Sequence, residues 1–386
     1  MRLTATFLAV ITWLPALVHA LTLQERQLNR PGRYIVTLKD GASGSRISSS
    51  LSSVRKSGVV EVWDNVFNGF AADLSESDLK ALKDSPDVLD IEEDGVVHAF
   101  SPVTQTNAPW GLARISSNTP LTGNPATSTF RFTYDSTAGA GVDIYIFGTG
   151  VRTTHVEFGG RARFGAVFSG TVAADGHGHG THCAGIAAGT NVGVAKRANV
   201  VAVKVLSDSG SSSVSTLISG INWIAGTVAA SGRPSVVLMA LGGGASTALD
   251  SAVVSLTNAG IHVVVAAGGS NQGVENTSPA RVPSVITVGA ITFTDSRTSF
   301  SNYGAGIDVY APGQNINSSW ATSDTAYNTL SGTSMAAAYV TGVVAYLLGL
   351  LGNLSPAAME AKVKELALKG ILTGIPSGTN ALIHIA

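Results

Sequence analysis

The sequence predicts a three-layer α/β/α protein with a mainly parallel central sheet, preceded by a small α+β domain. Short Val/Ile-rich runs without period-two alternation recur after residue 140, as expected for strands buried on both faces. Segments with apolar residues at three-to-four spacing alternate with these runs, which favours a parallel sheet covered by helices. The 386 residues are 45% hydrophobic and 13% charged, enough apolar material for a sizeable core.

The first 20 residues have the three parts of a secretory signal. Arg2 supplies the positive region, residues 7–17 are mostly apolar, and Val18-His19-Ala20 resembles a cleavage site. The apolar run is too short for a membrane anchor, and the polar stretch 22–30 follows it. We therefore expect residues 1–20 to be removed and the protein to be secreted and extracellular.

Residues 21–102 contain the small α+β domain. Arg33–Leu38 alternates like a strand and stops at Lys39-Asp40-Gly41, a turn. Residues 70–74 and 88–97 have strand character, and residues 75–85 carry leucines at helical spacing. A Ser-rich stretch at 44–53 gives no clear pattern. The mixture of strands and helices over some 70 residues predicts one α+β unit.

Residues 103–386 form the predicted larger domain. Its buried strands are expected at 142–147, 200–206, 235–241, 262–267 and 285–290, with helices at 215–229 and 247–258. In sheets of this kind, functional groups gather at the carboxyl ends of the strands. Three of those ends carry glycines, at Gly148, Gly242 and Gly268.

Composition excludes several functions. The net charge is −1 and no block of basic residues occurs, so a nucleic-acid partner is not expected. No later segment offers about 20 uninterrupted apolar residues, so no membrane partner is expected either. The single Cys183 cannot form an internal disulfide, and glycosylation sequons occur at Asn276, Asn317 and Asn353. We expect a monomer.

A serine precedes a long apolar helix. The segment Ser331-Gly332-Thr333-Ser334-Met335-Ala336 leads into residues 337–351, which read as a helix. At a helix N-terminus a serine lies among unpaired backbone N–H groups and the positive end of the helix dipole. That position suits a nucleophile whose attack creates an oxyanion, although an isolated serine there is more often only a helix cap.

Three histidines lie within six residues of Gly176-His177-Gly178-His179-Gly180-Thr181-His182-Cys183. A metal site of this spacing needs a fourth ligand and a carboxylate, and no convincing candidate occurs. A histidine between glycines at the start of a helix can instead be held at a cleft. There a neutral imidazole can accept a proton from a serine hydroxyl.

Taken together these motifs resemble the subtilases, and among them the proteinase K-like group. The resemblance covers nearly the whole chain after the signal. In the larger domain it is also carried by Gln105 to Ile115, Thr154 to Phe158, Gly193-Val194-Ala195, Val203 to Leu206, Leu241 to Gly244, Ser299 to Gly304 and Ala311-Pro312-Gly313. In the smaller domain, Asn68 to Ala72 and Ile91 to Asp94 resemble the subtilase propeptide, which implies a folding chaperone and inhibitor of the same chain.

The resemblance assigns roles to individual residues. Ser334 matches the nucleophile and His179 the general base of a serine endopeptidase, which needs no catalytic cofactor. Two edges match those that hold a peptide or protein substrate as an added strand: Gly210 to Val214, including Ser211 and Ser212, and Ala240-Leu241-Gly242. Pro283, Val285 and Asp308 match a structural calcium site built from two carbonyl oxygens and one carboxylate.

Two positions depart from the family pattern. Gly148 stands in a Gly-Thr-Gly triplet where the family has the catalytic aspartate, and Gly269 stands where it has the oxyanion asparagine. Asp143 begins the same strand, roughly 17 Å from its other end at about 3.3 Å per residue. Asp175 precedes the histidine loop, but an acid there also accompanies intact triads. Ser270 and Asn271 follow Gly269, but reaching the asparagine's position from there requires a backbone rearrangement.

Two hypotheses follow. The first is a secreted endopeptidase that retains activity through Ser334 and His179. The second is a catalytically impaired or inactive member whose groove still binds peptides or a propeptide. The paired changes at Gly148 and Gly269, with the other motifs kept, favour the second. A gene copy that folds without any function is a third possibility.

Overall fold

The computed structural model describes residues 32–51, 60–94 and 102–385. The chain divides into two compact units, Met1–Ala99 and Phe100–Ala386. The predicted signal, residues 1–20, and most of the predicted junction between the two domains lie outside the described residues.

In residues 32–51 and 60–94 the small unit is an antiparallel sheet with two helices, as the α+β prediction requires. Its strands are β1 (Arg33–Leu38), β2 (Val60–Asp64), β3 (Asn68–Asp73) and β4 (Val88–Glu93), in the order β2-β3-β1-β4. Helix Glu76–Lys83 begins with a capping box at Ser75, where the serine and Asp78 satisfy each other's backbone N–H groups. The core contains Val36, Phe70 and Leu82.

The Ser-rich stretch also forms a helix, which the sequence pattern did not indicate. It spans Gly44–Ser50, and Ser43 caps it by accepting a hydrogen bond from the backbone N–H of Arg46. Serine has a weak intrinsic preference for helix, so composition alone could not identify this element.

The strands of the large unit are β5 (Pro102–Ala108), β6 (Phe130–Asp135), β7 (Asp143–Gly148), β8 (Ala162–Val167), β9 (Asn199–Lys204), β10 (Ser235–Met239), β11 (Gly243–Gly244), β12 (His262–Ala266), β13 (Thr277–Ser278), β14 (Ile286–Ile291), β15 (Val309–Pro312), β16 (Ile316–Ser319), β17 (Tyr327–Leu330), β18 (Leu368–Lys369) and β19 (Ala381–Leu382). One sheet has the order β18-β19-β15-β14-β12-β10-β7-β9-β8. Its pairs are parallel except β18–β19, so the predicted mainly parallel sheet is confirmed.

The helices of this unit are Trp110–Ile115, His179–Ala188, Val214–Ser231, Thr247–Asn258, Thr333–Leu351 and Pro356–Leu366. Thr333–Leu351 packs against His179–Ala188 and against the central strands, while Val214–Ser231 packs against Thr247–Asn258. Serine side chains cap several N-termini, among them Ser213, Ser246 and Ser355. The five predicted central strands agree with the structure to within two residues, because their side chains are buried on both faces.

Two helices of the described residues are long and apolar enough to cross a membrane by length and composition, Val214–Ser231 and Thr333–Leu351. Thr333–Leu351 is mostly buried against the sheet, and Val214–Ser231 buries one face that includes Leu217 and Ile221. The core helices of globular domains pass the same test, so this finding is weak evidence for a membrane segment.

A buried ion pair connects the start of the large unit to a distant loop. Arg114, on helix Trp110–Ile115, donates from Nε to Asp295 Oδ1 at 2.8 Å and from Nη2 to Oδ2 at 3.0 Å. The Arg114 side chain is fully buried and that of Asp295 is 6% exposed. The remaining guanidinium nitrogen donates to the carbonyl of Ser117 at 2.7 Å, so the charge is fully satisfied.

We predict that Asp295→Asn lowers the free energy of unfolding by about 3 kcal/mol, because it leaves a buried guanidinium without its counter-charge. Asparagine tolerates the left-handed backbone of this residue, where φ is 58°, so the change isolates the charge. The thermal midpoint, measured by calorimetry at fixed scan rate, should fall by several degrees. Glu365→Ala breaks an exposed pair with Lys362 and is the control, with an expected change below about 1 kcal/mol. Equal losses in both variants would contradict the prediction.

Candidate active site

The candidate residues lie along two adjoining clefts at the carboxyl ends of the central strands. One cavity of about 570 Å³ is lined by His179 and by residues of both predicted substrate edges, namely Gly210, Ser211, Ser212, Ala240, Leu241 and Gly242. A second, of about 550 Å³, is lined by Gly269 and Ser334. Leu241 and Gly242 line both cavities, so the two clefts share a wall.

The histidine loop is anchored by the carboxylate of Asp175, which is buried. Its Oδ1 accepts hydrogen bonds from Thr149 Oγ1 and the backbone N–H of Gly178, both at 2.8 Å. Its Oδ2 accepts from the backbone N–H of Thr181 at 2.8 Å and from that residue's hydroxyl at 2.6 Å. Because both oxygens are engaged in holding the loop, Asp175 is a structural anchor rather than a partner for an imidazole ring.

Helix His179–Ala188 begins at the candidate base, as the sequence predicts. Gly178 caps it with a left-handed backbone, φ 98°, that favours glycine. Gly180, which follows His179, lies close to the segment after β7. A Cβ atom on Gly180 would be 2.0 Å from the carbonyl oxygen of Gly150. Only glycine therefore lets the helix start approach the end of β7.

The imidazole of His179 is partly buried and has no strong hydrogen-bond partner among the residues that the structure describes. Its Nε2 lies 3.9 Å from Sγ of Cys183, a buried thiol one turn along the helix. Loss of hydration, followed by the proximity of His177, lowers the pKa of His179 to about 4. The ring is thus neutral at pH 7, but so low a pKa makes it a weak base, because general bases work best with a pKa near the operating pH.

Ser334 lies in the first turn of helix Thr333–Leu351, as predicted. Its hydroxyl donates to the backbone carbonyl of Ala240 at 3.3 Å. Within residues 102–385 no hydrogen bond joins Ser334 to His179. The serine therefore has the helix N-terminus suited to oxyanion formation, but its proton is directed to a carbonyl rather than to a base.

Among the described residues, no neighbouring carboxylate takes the place of the aspartate that is missing at Gly148. The glycine ends β7, and its carbonyl accepts hydrogen bonds from the backbone of Val205 and Leu206. Asp143, at the other end of β7, is buried and paired with Arg163 and Arg233. A Cβ built on Gly148 has no atom within 4 Å, so the position offers space for a side chain that the sequence does not supply.

Gly269 also has open space where a side chain would project. A Cβ built there also has no atom within 4 Å. Nearby Asn271 has a left-handed backbone, φ 51°, and its side-chain oxygen accepts a hydrogen bond from Arg297 at 3.0 Å. That side chain is therefore held by Arg297. A second amide, Asn302, fixes the loop by accepting the backbone N–H groups of residues 270 and 272.

The subtilase family profile matches residues 139–379, more than half of the chain. The chain belongs to the subtilase family. The peptidase inhibitor I9 profile matches residues 33–100, so the small unit is a subtilase propeptide domain. The resemblance read from the sequence motifs is confirmed for both domains.

Similar proteins cover almost the same length. The chain is 42% identical over 349 residues to a cuticle-degrading protease of Metarhizium anisopliae, covering 90% of this chain and 87% of that one. It is 41% identical to proteinase R of Parengyodontium album, with 91% and 88% covered. The crystal structure of a cold-adapted subtilisin-like serine proteinase superposes with a TM-score of 0.66 at 44% identity, covering 73% of this chain and all of the other. These relatives confirm the proteinase K-like group and the subtilisin-like fold.

The residues predicted to bind calcium do not line either cleft. Asp308 has a side chain that is 13% exposed, and its Oδ2 accepts the backbone N–H of Thr287 at 2.7 Å. Its Oδ1 lies 2.6 Å from Nζ of Lys364. The oxygen donors suit a hard cation, but calcium can use this carboxylate fully only if the lysine moves aside. The calcium assignment to Pro283, Val285 and Asp308 stays a prediction.

Sequence reasoning missed two supports of this region. Lys364 follows Asp308 by 56 residues on helix Pro356–Leu366, and no local pattern connects the two. Hairpin β16–β17 supports helix His179–Ala188, which is called the histidine helix below. Ser318 donates a hydrogen bond to the carbonyl of His182. The ring Nε2 of His182 lies within 3.1 Å of the carbonyls of Ile316 and Asn328. The segment Ile316-Asn317-Ser318-Ser319 shows no apolar alternation that could have indicated this hairpin.

We predict that His182 makes the domain acid-sensitive. Burial lowers the pKa of this fully buried ring to about 4, below the ordinary 6.5. As the pH falls from 6.5 to 4, the unfolded chain binds a proton that the folded one excludes, so stability falls by on the order of 3 kcal/mol. Urea unfolding of wild type and His182→Gln should give a shallower loss in the variant over that range. At pH 8 both forms are neutral at this site, and a slope difference persisting there would reject the explanation.

Proposed function

We propose that this protein is a secreted, monomeric subtilase that is catalytically impaired or inactive and retains a peptide-binding groove. The supporting observation is the state of His179. No described carboxylate is free to orient its ring, its pKa is about 4, and it makes no hydrogen bond to Ser334. A base in this condition accepts the serine proton poorly.

The expected loss of activity is large. In subtilisin itself, a member of this family, removing the triad aspartate alone lowers kcat about 3 × 10⁴-fold. Removing the oxyanion asparagine there lowers kcat by about 10²–10³-fold. Groups that act as a unit are not additive, so the product of these factors is not expected, but either loss alone removes useful turnover.

Peptide binding does not depend on the altered groups. The two edges, residues 210–212 and 240–242, both line the cleft that contains His179. An extended peptide can bind between such edges as an added strand, with main-chain hydrogen bonds providing much of the affinity. Gly148 and Gly269 remove side chains from the reaction centre and leave these edges in place. The groove therefore supports binding of a peptide, a protein segment or a propeptide.

Restoring both lost groups should restore hydrolysis. Gly148→Asp and Gly269→Asn introduce side chains where a Cβ meets no atom within 4 Å, so we expect both to fit. Hydrolysis of a peptide p-nitroanilide should rise by several orders of magnitude in the double variant over wild type. The triple variant carrying Ser334→Ala is the matched control and should be inactive.

One result would contradict the proposal, and a second would contradict only the assignment of the impairment to Gly148 and Gly269. Wild-type turnover typical of the family and abolished by Ser334→Ala would show an active endopeptidase using Ser334 and His179. No gain in the double variant would mean that the two glycines are not the cause of any low activity. The cause would then lie elsewhere in the site, for example in the helix after Ser334, where Tyr339 is buried with its hydroxyl against Gly111.

Propeptide removal is the second test. Subtilases cut their own propeptide, and this intramolecular step benefits from high effective concentration, so it is the reaction that best survives partial damage. We predict that protein from a protease-deficient secretory host begins near Leu21 rather than near Val103, as read by intact mass. Ser334→Ala is the matched control. A product that begins near Val103 in wild type and not in the control would show real catalysis. A product that begins there in both would indicate a helper protease.

A further inference from the structure

The side chain of Lys364 contacts the carboxylate of Asp308, the carboxylate predicted to bind calcium. The ammonium Nζ lies 2.6 Å from Asp308 Oδ1 and 2.6 Å from Glu360 Oε1. Glu360 precedes Lys364 by one helical turn, an arrangement that holds the lysine on that face of the helix. The ammonium is thus fixed between two carboxylates.

Asp308 needs a counter-charge at this place. Its backbone N–H donates to the carbonyl of Thr287 at 3.0 Å, and its Oδ2 accepts from the N–H of the same residue. These bonds tie the residue before β15 to β14 and keep the carboxylate largely out of water. An unpaired carboxylate there would destabilise the folded domain.

A divalent cation and an ammonium cannot share this carboxylate without strong repulsion. We propose that Lys364 is a tethered cation that competes with calcium for Asp308 and makes the large domain's stability largely independent of calcium. The lysine is part of the chain, so it is present at a fixed and high effective concentration. It also satisfies the carboxylate without the dehydration of a divalent ion. This inference does not depend on whether the protein cleaves peptides.

The test compares calcium responses of full-length variants. Lys364→Met removes the ammonium and keeps most of the apolar stem. The thermal midpoint of this variant should be higher in calcium than in chelator, and this difference should be clearly larger than in wild type. Its calcium Kd, measured by titration calorimetry, should be at least about tenfold lower than that of wild type. Lys364→Arg keeps the positive charge and should respond as wild type does. Lys362→Met, on the same helix but paired with Glu365, should also respond as wild type does.

The double variant Lys364→Met with Asp308→Asn should lose the calcium response, which assigns it to this carboxylate. If Lys364→Met folds only in the presence of calcium, the ion replaces the lysine and the proposal holds. Equal calcium responses in wild type and Lys364→Met would overturn it. A Lys364→Met protein that calcium does not stabilise, or that fails to fold with and without calcium, would overturn it as well.

Discussion

The carboxylate of Asp175 is the interaction on which the geometry of the candidate site depends. It receives hydrogen bonds from Thr149, at the end of β7, and from the backbone of the loop that starts the histidine helix. Thr149 Oγ1 in turn accepts the backbone N–H of Gly180 at 2.9 Å. The histidine helix is therefore anchored to the strand without any contribution from residue 148. This explains how the scaffold keeps its form although the side chain that would serve the imidazole is missing.

The two altered positions contrast with the glycines that build the loop. A Cβ at Gly180 would collide with backbone, whereas Gly148 and Gly269 have open space around the corresponding point. Packing therefore requires glycine at position 180 but not at positions 148 and 269. The consequences of the two changes are chemical. His179 loses the charge that would raise its basicity, and the cleft beside Ser334 loses a hydrogen-bond donor.

The sequence predicted the fold well where one physical rule dominates. Strands buried on both faces read as Val/Ile-rich runs, and the helix beginning at His179 was signalled by its flanking glycines. Prediction from the sequence failed where an element depends on contacts with other parts of the chain. Helix Gly44–Ser50 depends on its Ser43 cap, since its composition is unfavourable. The short strands of hairpin β16–β17 depend on contact with the histidine helix. No sequence pattern predicts two of the side-chain contacts: the hydrogen bond from Ser334 to the carbonyl of Ala240, and the ion pair of Lys364 with Asp308.

The Arg114–Asp295 pair has a consequence for biosynthesis. Its two residues are separated by 181 positions, and the carbonyl of Ile115 accepts the N–H of Ile385, at the far end of the chain. The first helix of the large unit thus cannot reach its final environment until nearly all of the polypeptide has left the ribosome. Closing such long loops is slow, and the waiting chain exposes apolar segments to aggregation. A leading domain that shortens this interval is useful to the cell whether or not the finished protein ever cuts a peptide bond.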